Sequence, residues 1–356
     1  MNDTNNIHEH PFYTYKQLVD KLKSKGLIIT NESQIISYFK AFNYQNVING
    51  YNKEFLASPH YWNYLTNANS QMILDLFDFN RLLSVAITND LHSIEMQLSS
   101  GISNGLMKRI SILHPGRTCF LPLSEIEKYS LFKYQIDEGK DNEKINELFL
   151  ELQDNYQKMK KEKDNINKSW EKWEEVPLYS LSLIWTFGVS IDLFCNLNNE
   201  IQSDILNSYF SAISKIDIKT FETLLYYFRD LRNKSSHNEV IYNFKFNLRK
   251  LIFKVRKFNS SSTTKISKII QNDFQNLLWI QNVLNFDYKL ISMLKIMCQI
   301  VNDKPLEEII FELIGWLKQS IVNGVHEDIE GKQIYLPCKR AWKNICISLG
   351  YKDKNF

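Results

Sequence analysis

The sequence contains few of the residues that interrupt regular backbone structure, with 11 glycines and 7 prolines among 356 residues. A sandwich or barrel of many short strands needs frequent turns, and turns draw heavily on glycine and proline. Their scarcity argues against a many-turned β architecture and favours long helices. The apolar fraction of 44% is that of an ordinary globular protein. We therefore expect an all-α protein.

The chain also lacks an excess of one charge, since 43 basic and 40 acidic residues give a net charge of +3. This balance excludes a highly basic nucleic-acid coat protein and an acidic tail protein, but it leaves room for a local basic groove. The five cysteines are scattered without a Cys-x-x-Cys pair. An odd number of scattered cysteines indicates reduced thiols and no zinc site, and we expect neither a metal nor another cofactor.

Long apolar runs are missing as well. The N-terminus has no apolar segment of the kind that marks a secretory signal. The most apolar stretch, around Leu178–Phe194, is interrupted by polar residues such as Ser180, Ser182 and Asp192. That composition predicts a buried core helix, Leu178–Leu197, rather than a membrane span. We expect a cytoplasmic protein that does not contact a membrane.

The length exceeds the ~100–200 residues of a typical domain, so the chain should contain more than one module. Residues 1–55 predict a small N-terminal element, helical or α+β, in which Gly26 ends the first helix. Residues 56–258 predict a helical bundle with a charged insertion near 125–168, and residues 259–356 predict extra C-terminal helices.

One predicted helix, Phe221–Asn243, carries polar residues of the kinds used in catalysis. Arg229, Asn233 and His237 are each four residues apart, a spacing that places them along one stripe of a helix. Arg232 lies five residues before His237, and its long side chain can reach toward the same group. The opposite side is apolar and predicts burial at Phe221, Leu224, Leu225, Phe228 and Leu231.

Such a set suits metal-independent cleavage of RNA. The 2′-OH of RNA is a built-in nucleophile, so no metal-bound water is required. An imidazole titrates near neutral pH and can accept or donate the proton. A guanidinium stabilises charge on the phosphoryl oxygens in the transition state, and an amide orients the phosphate or the imidazole. The products would be a 2′,3′-cyclic phosphate and a 5′-OH.

The residues alone also allow a purely structural interpretation of this arginine and histidine, and they favour it over catalysis. An arginine and a histidine five apart occur by chance in many helical proteins, and a histidine near a helix end often only complements the helix dipole. Tyr226 and Tyr227 are open to a similar choice between stacking on bases and core packing, with core packing as the default.

The wider sequence adds a resemblance. The segment Arg232-Asn233 followed by His237 resembles the arginine–histidine motif of the HEPN superfamily of helical-bundle nucleases. More narrowly, the chain resembles the Abi-like (AbiD/AbiF) abortive-infection family in five blocks that come in the family's order. The blocks are Thr14–Ile29, Asn43-Tyr44 with Gly50-Tyr51, Phe77–Glu95, Pro177–Gly188, and Arg232-Asn233 with His237-Asn238 and Tyr242-Asn243.

The resemblance implies a HEPN-like helical bundle and an endoribonuclease toxin of antiphage defence, with Arg232, Asn233 and His237 as its catalytic residues. It further implies a homodimer in which two copies of Arg232 and His237 approach each other. Some relatives of this type are restrained by a structured non-coding RNA, so RNA is expected as substrate and also as an antitoxin partner. Others bind RNA without cutting it, which leaves a non-catalytic RNA-binding protein as the alternative.

The sequence departs from the family pattern at two positions beside the motif histidine. Ser236 stands where alanine is frequent, and Asn238 stands where a second histidine is usual. Neither change removes the arginine or the histidine, but Asn238 could tune the site. A nucleotide transferase ranks last among the alternatives, because the chain has no Walker-type phosphate loop and no suitably placed carboxylate pair.

Further residues are candidates for supporting roles. Arg229 shares the stripe, and Glu95 could orient Arg229 or Arg232 through an ion pair or simply lie on a solvated helix surface. A basic segment after the motif predicts phosphate contacts, although a solvated helix face fits it equally well. Its members are Arg249, Lys250, Lys254, Arg256 and Lys257.

Overall fold

The computed structural model describes chiefly residues 12–58, 61–113, 185–214, 216–237, 239–244, 290–301, 304–323 and 338–349, with isolated positions elsewhere. Regular structure in these residues is mostly α-helical, which confirms the expected fold class. The helices are α1 (Tyr15–Ser24), α2 (Glu32–Phe42), α3 (Ser70–Leu113), α4 (Phe187–Asn196), α5 (Asn199–Tyr209), α6 (Ile218–Ser236), α7 (Leu290–Val301), α8 (Lys304–Lys318) and α9 (Lys339–Leu349).

Shorter elements join these helices. Single turns of 3₁₀-helix occupy Asn52–Phe55 and Ser211–Ile213, and π-helical turns occupy Gln45–Asn49 and Gln319–Asn323. The described residues contain two antiparallel strand pairs, β1 (Leu56–Ser58) with β2 (Tyr61–Tyr64), and β3 (Phe120–Leu121) with β4 (Val176–Pro177). The pairs are too short to form a sheet layer, so the helices build the core.

The chain divides into two compact units. The first unit comprises residues 1–84, 240–244 and 308–356, and the second comprises residues 85–239 and 245–307. The modules 1–55, 56–258 and 259–356 stay a prediction from the sequence. Within the first unit, segments distant in sequence meet, as the contacts of Glu54 show.

Hydrogen bonds of Glu54 connect three segments of the first unit. Its buried carboxylate accepts hydrogen bonds from the Tyr242 hydroxyl at 3.1 Å and the Ser348 hydroxyl at 3.0 Å. The Asn344 side-chain amide donates to the Glu54 carbonyl at 3.0 Å. Burial, and then the neighbouring Glu54 charge, raises the pKa of Tyr242 above its ordinary value. The tyrosine therefore stays protonated and keeps donating this bond.

The N-terminal element follows the predicted order of a helix, a glycine and an extended segment. Thr14 caps α1 in a reciprocal capping box with Gln17. Gly26 has a φ of 87°, a conformation that favours glycine and ends the helical path. Ile28 then forms a parallel bridge with Asn69. The prediction that Gly26 ends the first helix is confirmed.

Close approach of α3 and α5 organises part of the second unit. A Cβ atom built on Gly101 would come within 3.0 Å of Ile205, and one on Gly105 within 3.0 Å of Ile201. Because neither glycine has a side chain, the isoleucines pack directly against the α3 backbone. The buried Ser99 and Ser190 hydroxyls then join α3 to α4 at 2.8 Å.

Two predicted helix boundaries were wrong. The core helix expected at Leu178–Leu197 begins only at Phe187, because the Thr186 side chain accepts a hydrogen bond from the Val189 amide and so caps the helix there. Just upstream, Val176 and Pro177 lie in β4, while residues 178–181, 183 and 184 lie outside the described part of the chain. Separately, α6 ends at Ser236, well before Asn243, where the pattern had suggested its end.

Within the described residues, no helix combines the length and the apolar character that a membrane crossing requires.

Asn80 supplies a test of the first unit. Its buried side-chain oxygen accepts from the backbone amides of Ile241 at 2.8 Å and Tyr242 at 3.1 Å. Asn80→Ala removes this acceptor, so we expect the free energy of unfolding in urea to fall by about 2 kcal/mol or more. Ser100→Ala, at an exposed position of the same helix, should change it by less than about 0.5 kcal/mol. Equal unfolding midpoints for the two variants would contradict this role of Asn80.

Candidate functional site

The helix that carries the predicted motif is fixed at its start by a side-chain cap. The Asp217 carboxylate accepts from the Thr220 backbone amide at 2.9 Å and from the Thr220 hydroxyl at 2.7 Å. An acidic cap also complements the positive end of the helix dipole. The first turn of α6 is therefore held in place, and the motif lies in its last turns.

The apolar side of α6 is buried, as predicted. Between ring centroids, Phe221 lies 5.3 Å from Phe194 of α4, which it contacts edge-on, and 4.7 Å from Phe210, which it contacts at a tilt. Tyr227 is also buried, which confirms core packing as its role. All five predicted apolar positions are in the core: Phe221, Leu224, Leu225, Phe228 and Leu231.

The polar side of α6 leaves the motif accessible to solvent. Asn233 and His237 are exposed, and Arg229 and Arg232 are half-buried. His237 is the residue at which the helix ends, and its backbone amide donates to the Asn233 carbonyl at 3.2 Å. Because the helix is regular through Ser236, Arg229, Asn233 and His237 follow one side of it.

Arg232 lies beside Asn233 at the exposed end of the helix. Its guanidinium reaches the Asn233 side-chain oxygen at 3.5 Å, the outer limit of a hydrogen bond. In the described residues it has no carboxylate partner, so its charge is free to meet an anion. The neighbouring Lys234, by contrast, is paired with Glu239. Arg232 and Asn233 are therefore in side-chain contact, and His237 follows them at the end of the same helix.

A chain of hydroxyl groups fixes the backbone between the arginine and the histidine. The Thr88 hydroxyl of α3 donates to the buried Ser235 hydroxyl at 3.0 Å. Ser235 in turn donates to the Arg232 carbonyl at 3.0 Å. These bonds hold the last turn of α6 against α3. The sequence pattern gave no signal for Thr88, because its partner is 147 residues away.

Arg229 belongs to a second polar cluster one turn earlier. Its guanidinium carbon lies 4.8 Å from the Tyr226 ring centroid, which is within the range of a cation–π interaction. The Tyr226 hydroxyl donates to the Asp192 carboxylate at 3.3 Å. Burial, and then the nearby Cys195 and Asp192, raises the pKa of Tyr226 above its ordinary value. Sequence reasoning missed Asp192 and Cys195, which reach the motif helix from α4.

Glu95 does not pair with either arginine among the described residues. Its carboxylate, in a side chain that is 15% exposed, lies 3.8 Å from the ring nitrogen of His92 on the same helix. The structure therefore offers no ion pair through which Glu95 would orient Arg229 or Arg232. Asn238 and the basic segment, with Arg249, Lys250, Lys254, Arg256 and Lys257, lie outside the described residues.

The arrangement can bind an anion and move a proton. Arg232 supplies a positive charge that no carboxylate of the described residues neutralises, and the exposed His237 imidazole supplies a group for proton transfer. Within the described residues, no group of three or more histidine, cysteine, aspartate and glutamate side chains is placed to hold a metal ion.

The hydroxyl chain predicts an energetic coupling between Thr88 and Ser235. In a double-mutant cycle with Thr88→Val and Ser235→Ala, we expect a coupling energy of about 1 kcal/mol in urea unfolding. The matched cycle combines Thr88→Val with Ser190→Ala, whose hydroxyl bonds to Ser99, three helical turns further along α3. That cycle should be additive within about 0.5 kcal/mol. Additivity in both cycles would show that the Thr88–Ser235 bond contributes nothing.

Comparison with known proteins identifies a family for the central part of the chain. No curated protein matches the chain, and no solved structure matches it. The family of Abi-like proteins does match, over residues 37–243, a range that contains α3, α4, α5 and all of α6. This range is more than half of the sequence and includes Arg232, Asn233 and His237. The chain belongs to the Abi-like protein family, a membership that points to abortive-infection defence.

Proposed function

We propose that this protein is a cytoplasmic, metal-independent endoribonuclease toxin of an abortive-infection defence system. The reaction is attack of a ribose 2′-OH on the adjacent phosphate, with Arg232 and His237 as catalytic residues and Asn233 as an orienting residue. Family membership supports the defence role. The HEPN-like motif at the end of α6 supports the chemistry.

One observation carries this proposal: the end of α6 is buried on one side and open on the other. Five apolar side chains anchor the helix, while the Asn233 and His237 side chains are exposed. A histidine that served only core packing would be buried and bonded to neighbours. His237 is instead exposed, so a ligand can reach its imidazole, and the His237→Ala variant described below distinguishes catalysis from a helix-dipole role.

The expected reaction balances without a cofactor. The 2′-oxygen forms a bond to phosphorus as the bond from phosphorus to the 5′-oxygen breaks. One proton leaves the 2′-OH and one reaches the 5′-oxygen, giving a 2′,3′-cyclic phosphate and a 5′-OH. A histidine can carry either proton, and the Arg232 guanidinium stabilises the additional charge on the phosphoryl oxygens.

We propose that the active form is a homodimer, because two proton transfers are served best by two histidines. The described residues of α3 offer a surface for a second copy. Val85 is 71% exposed and Met96 is 52% exposed, and both lie with His92 within about 40° around the helix axis. Thr88, one turn from Val85, bonds to Ser235 of the motif helix. A partner on this stripe would approach the motif.

A structured non-coding RNA is the proposed restraint on the toxin. The exposed motif suits such a partner, because Arg232 can bind phosphate in a regulatory RNA as well as in a substrate. The second candidate function, a non-catalytic RNA-binding defence protein, uses the same exposed surface. It differs in predicting RNA affinity without cleavage.

Loss of the motif side chains tests the catalytic proposal. His237→Ala and Arg232→Ala should each lower single-turnover RNA cleavage by about a hundredfold or more, because each removes proton transfer or charge stabilisation. Cleavage by the wild type should persist in EDTA and yield 2′,3′-cyclic phosphate ends. The matched control is Lys234→Ala, which removes a cation from the same turn that is already paired with Glu239.

The outcomes separate the two candidate functions. Full cleavage by the Arg232→Ala/His237→Ala double variant, or loss of wild-type cleavage in EDTA, would overturn the catalytic assignment. Salt-dependent RNA binding without cleavage by the wild-type protein would favour the non-catalytic candidate. Sequencing of RNA that co-purifies with the protein tests the restraint, for which we expect one abundant structured species.

A charge on the α3 stripe tests the homodimer. Val85→Asp introduces a carboxylate into the proposed apolar contact, so sedimentation should show a monomer and cleavage should fall at least tenfold. Asn207→Asp places the same charge on an exposed position of α5 and should leave both properties unchanged. A dimer that persists in the Val85→Asp variant with full activity would place the interface elsewhere.

A further inference from the structure

Four side chains of the first unit form a group of rings and cations, which we call the aromatic–lysine patch: the exposed Tyr13, Lys21 and Trp62 and the half-buried Lys25. The Lys21 ammonium lies 4.8 Å from the Tyr13 ring centroid, and the Lys25 ammonium lies 4.8 Å from the Trp62 ring centroid. Trp62 is 61% exposed and Tyr13 is 40% exposed. No step of the proposed cleavage uses these residues.

Local structure explains why the four side chains meet. Lys21 and Lys25 are four residues apart at the end of α1, so their side chains share one side of the helix. The Tyr64 backbone amide donates to the Lys25 carbonyl at 2.9 Å, which fixes β2 next to the end of α1. Trp62 is in that strand. Tyr13 comes just before the Thr14 cap of α1.

The patch holds the positive charges of Lys21 and Lys25 close together, although like charges repel each other. Neither Lys21 nor Lys25 has an ion-pair partner within the part of the chain that the structure describes. Burial, and then the charge of Lys21, lowers the pKa of Lys25 below its ordinary value. Lys23 differs, because it bonds to Glu32 at 2.7 Å. Two close cations without ion-pair partners, beside exposed rings, are features of an anion-binding site.

We propose that the aromatic–lysine patch binds a short single-stranded segment of RNA, at a surface separate from the motif on α6. Bases stack on the open sides of Trp62 and Tyr13, while Lys21 and Lys25 contact the phosphates. Stacking on aromatic rings beside a basic surface is the general means by which proteins hold single strands. The proposal does not depend on cleavage, since a non-catalytic RNA-binding protein would use the patch in the same way.

The chemistry of the patch favours RNA over an anionic membrane. Membrane attachment needs an apolar face that enters the lipid, backed by several basic residues. Here both rings of the patch have an ammonium group over them, and Asp20 lies on the same helix. The two rings can stack on bases and the two ammonium groups can bind phosphates, so the patch offers both kinds of contact that a single strand makes.

Binding of an RNA that cannot be cut tests the patch directly. The probe is a fluorescein-labelled oligouridylate with 2′-O-methyl groups throughout, which lacks the nucleophile for cleavage, and the readout is anisotropy with the full-length chain. Trp62→Ala should weaken binding roughly tenfold, because one stacking contact is lost, and Trp62→Phe should restore most of the affinity. Lys21→Ala and Lys25→Ala should each make the salt dependence shallower by about 0.7 in logarithmic slope.

Lys23→Ala is the matched control. It removes the same charge from the same helix, but at a lysine that Glu32 already neutralises, so affinity and salt slope should stay near those of the wild type. Circular dichroism melting of each variant checks that the unit remains folded. The Trp62→Phe variant retains an aromatic ring and separates stacking from packing.

The result that overturns the proposal is an unchanged affinity in Trp62→Ala and in the Lys21→Ala/Lys25→Ala double variant. Equal weakening by Lys23→Ala would also overturn it, since only net charge would then matter. Patch-dependent binding to phosphatidylglycerol vesicles, with RNA binding unaffected, would assign the surface to lipid instead. Patch-dependent RNA binding by a protein that never cleaves RNA would keep this proposal and remove the catalytic one.

Discussion

Burial of the apolar side of α6 is the constraint on which the candidate site depends. Phe221 packs against Phe194 and Phe210, and these contacts fix the rotation of the helix about its axis. Once that rotation is fixed, the opposite side must face outward, and Arg229, Asn233 and His237 occupy it because each is four residues from the last. The placement of the chemistry is thus a consequence of ordinary hydrophobic packing, and no local strain is needed.

Hydrogen bonds add what packing cannot, namely the position of the helix end. Apolar contacts are non-directional, whereas the bonds from Thr88 to Ser235 and from Ser235 to the Arg232 carbonyl have a defined length and direction. They hold the turn that separates the arginine from the histidine. In the first unit, Asn80 and Glu54 act similarly by fixing the segment that contains Tyr242.

The fold class, the apolar side of α6 and the break at Gly26 were predictable from the sequence, because each follows from local periodicity or backbone preference. The start of α4 was not, because Thr186 caps a helix whose apolar pattern continues upstream. Asp192, Thr88 and Glu95 illustrate a further limit. Their partners depend on which helix sides meet in three dimensions, so spacing along the chain could not reveal that Glu95 lies beside His92 rather than an arginine.

The glycine pair at Gly101 and Gly105 has a consequence for how this family can vary. The contacts at 3.0 Å leave no space for a methyl group unless Ile205 or Ile201 moves. An alanine at either glycine therefore requires the facing isoleucine of α5 to shift by a few tenths of an ångström. Side-chain size on α3 and α5 is thus constrained jointly at this crossing, independently of the motif on α6.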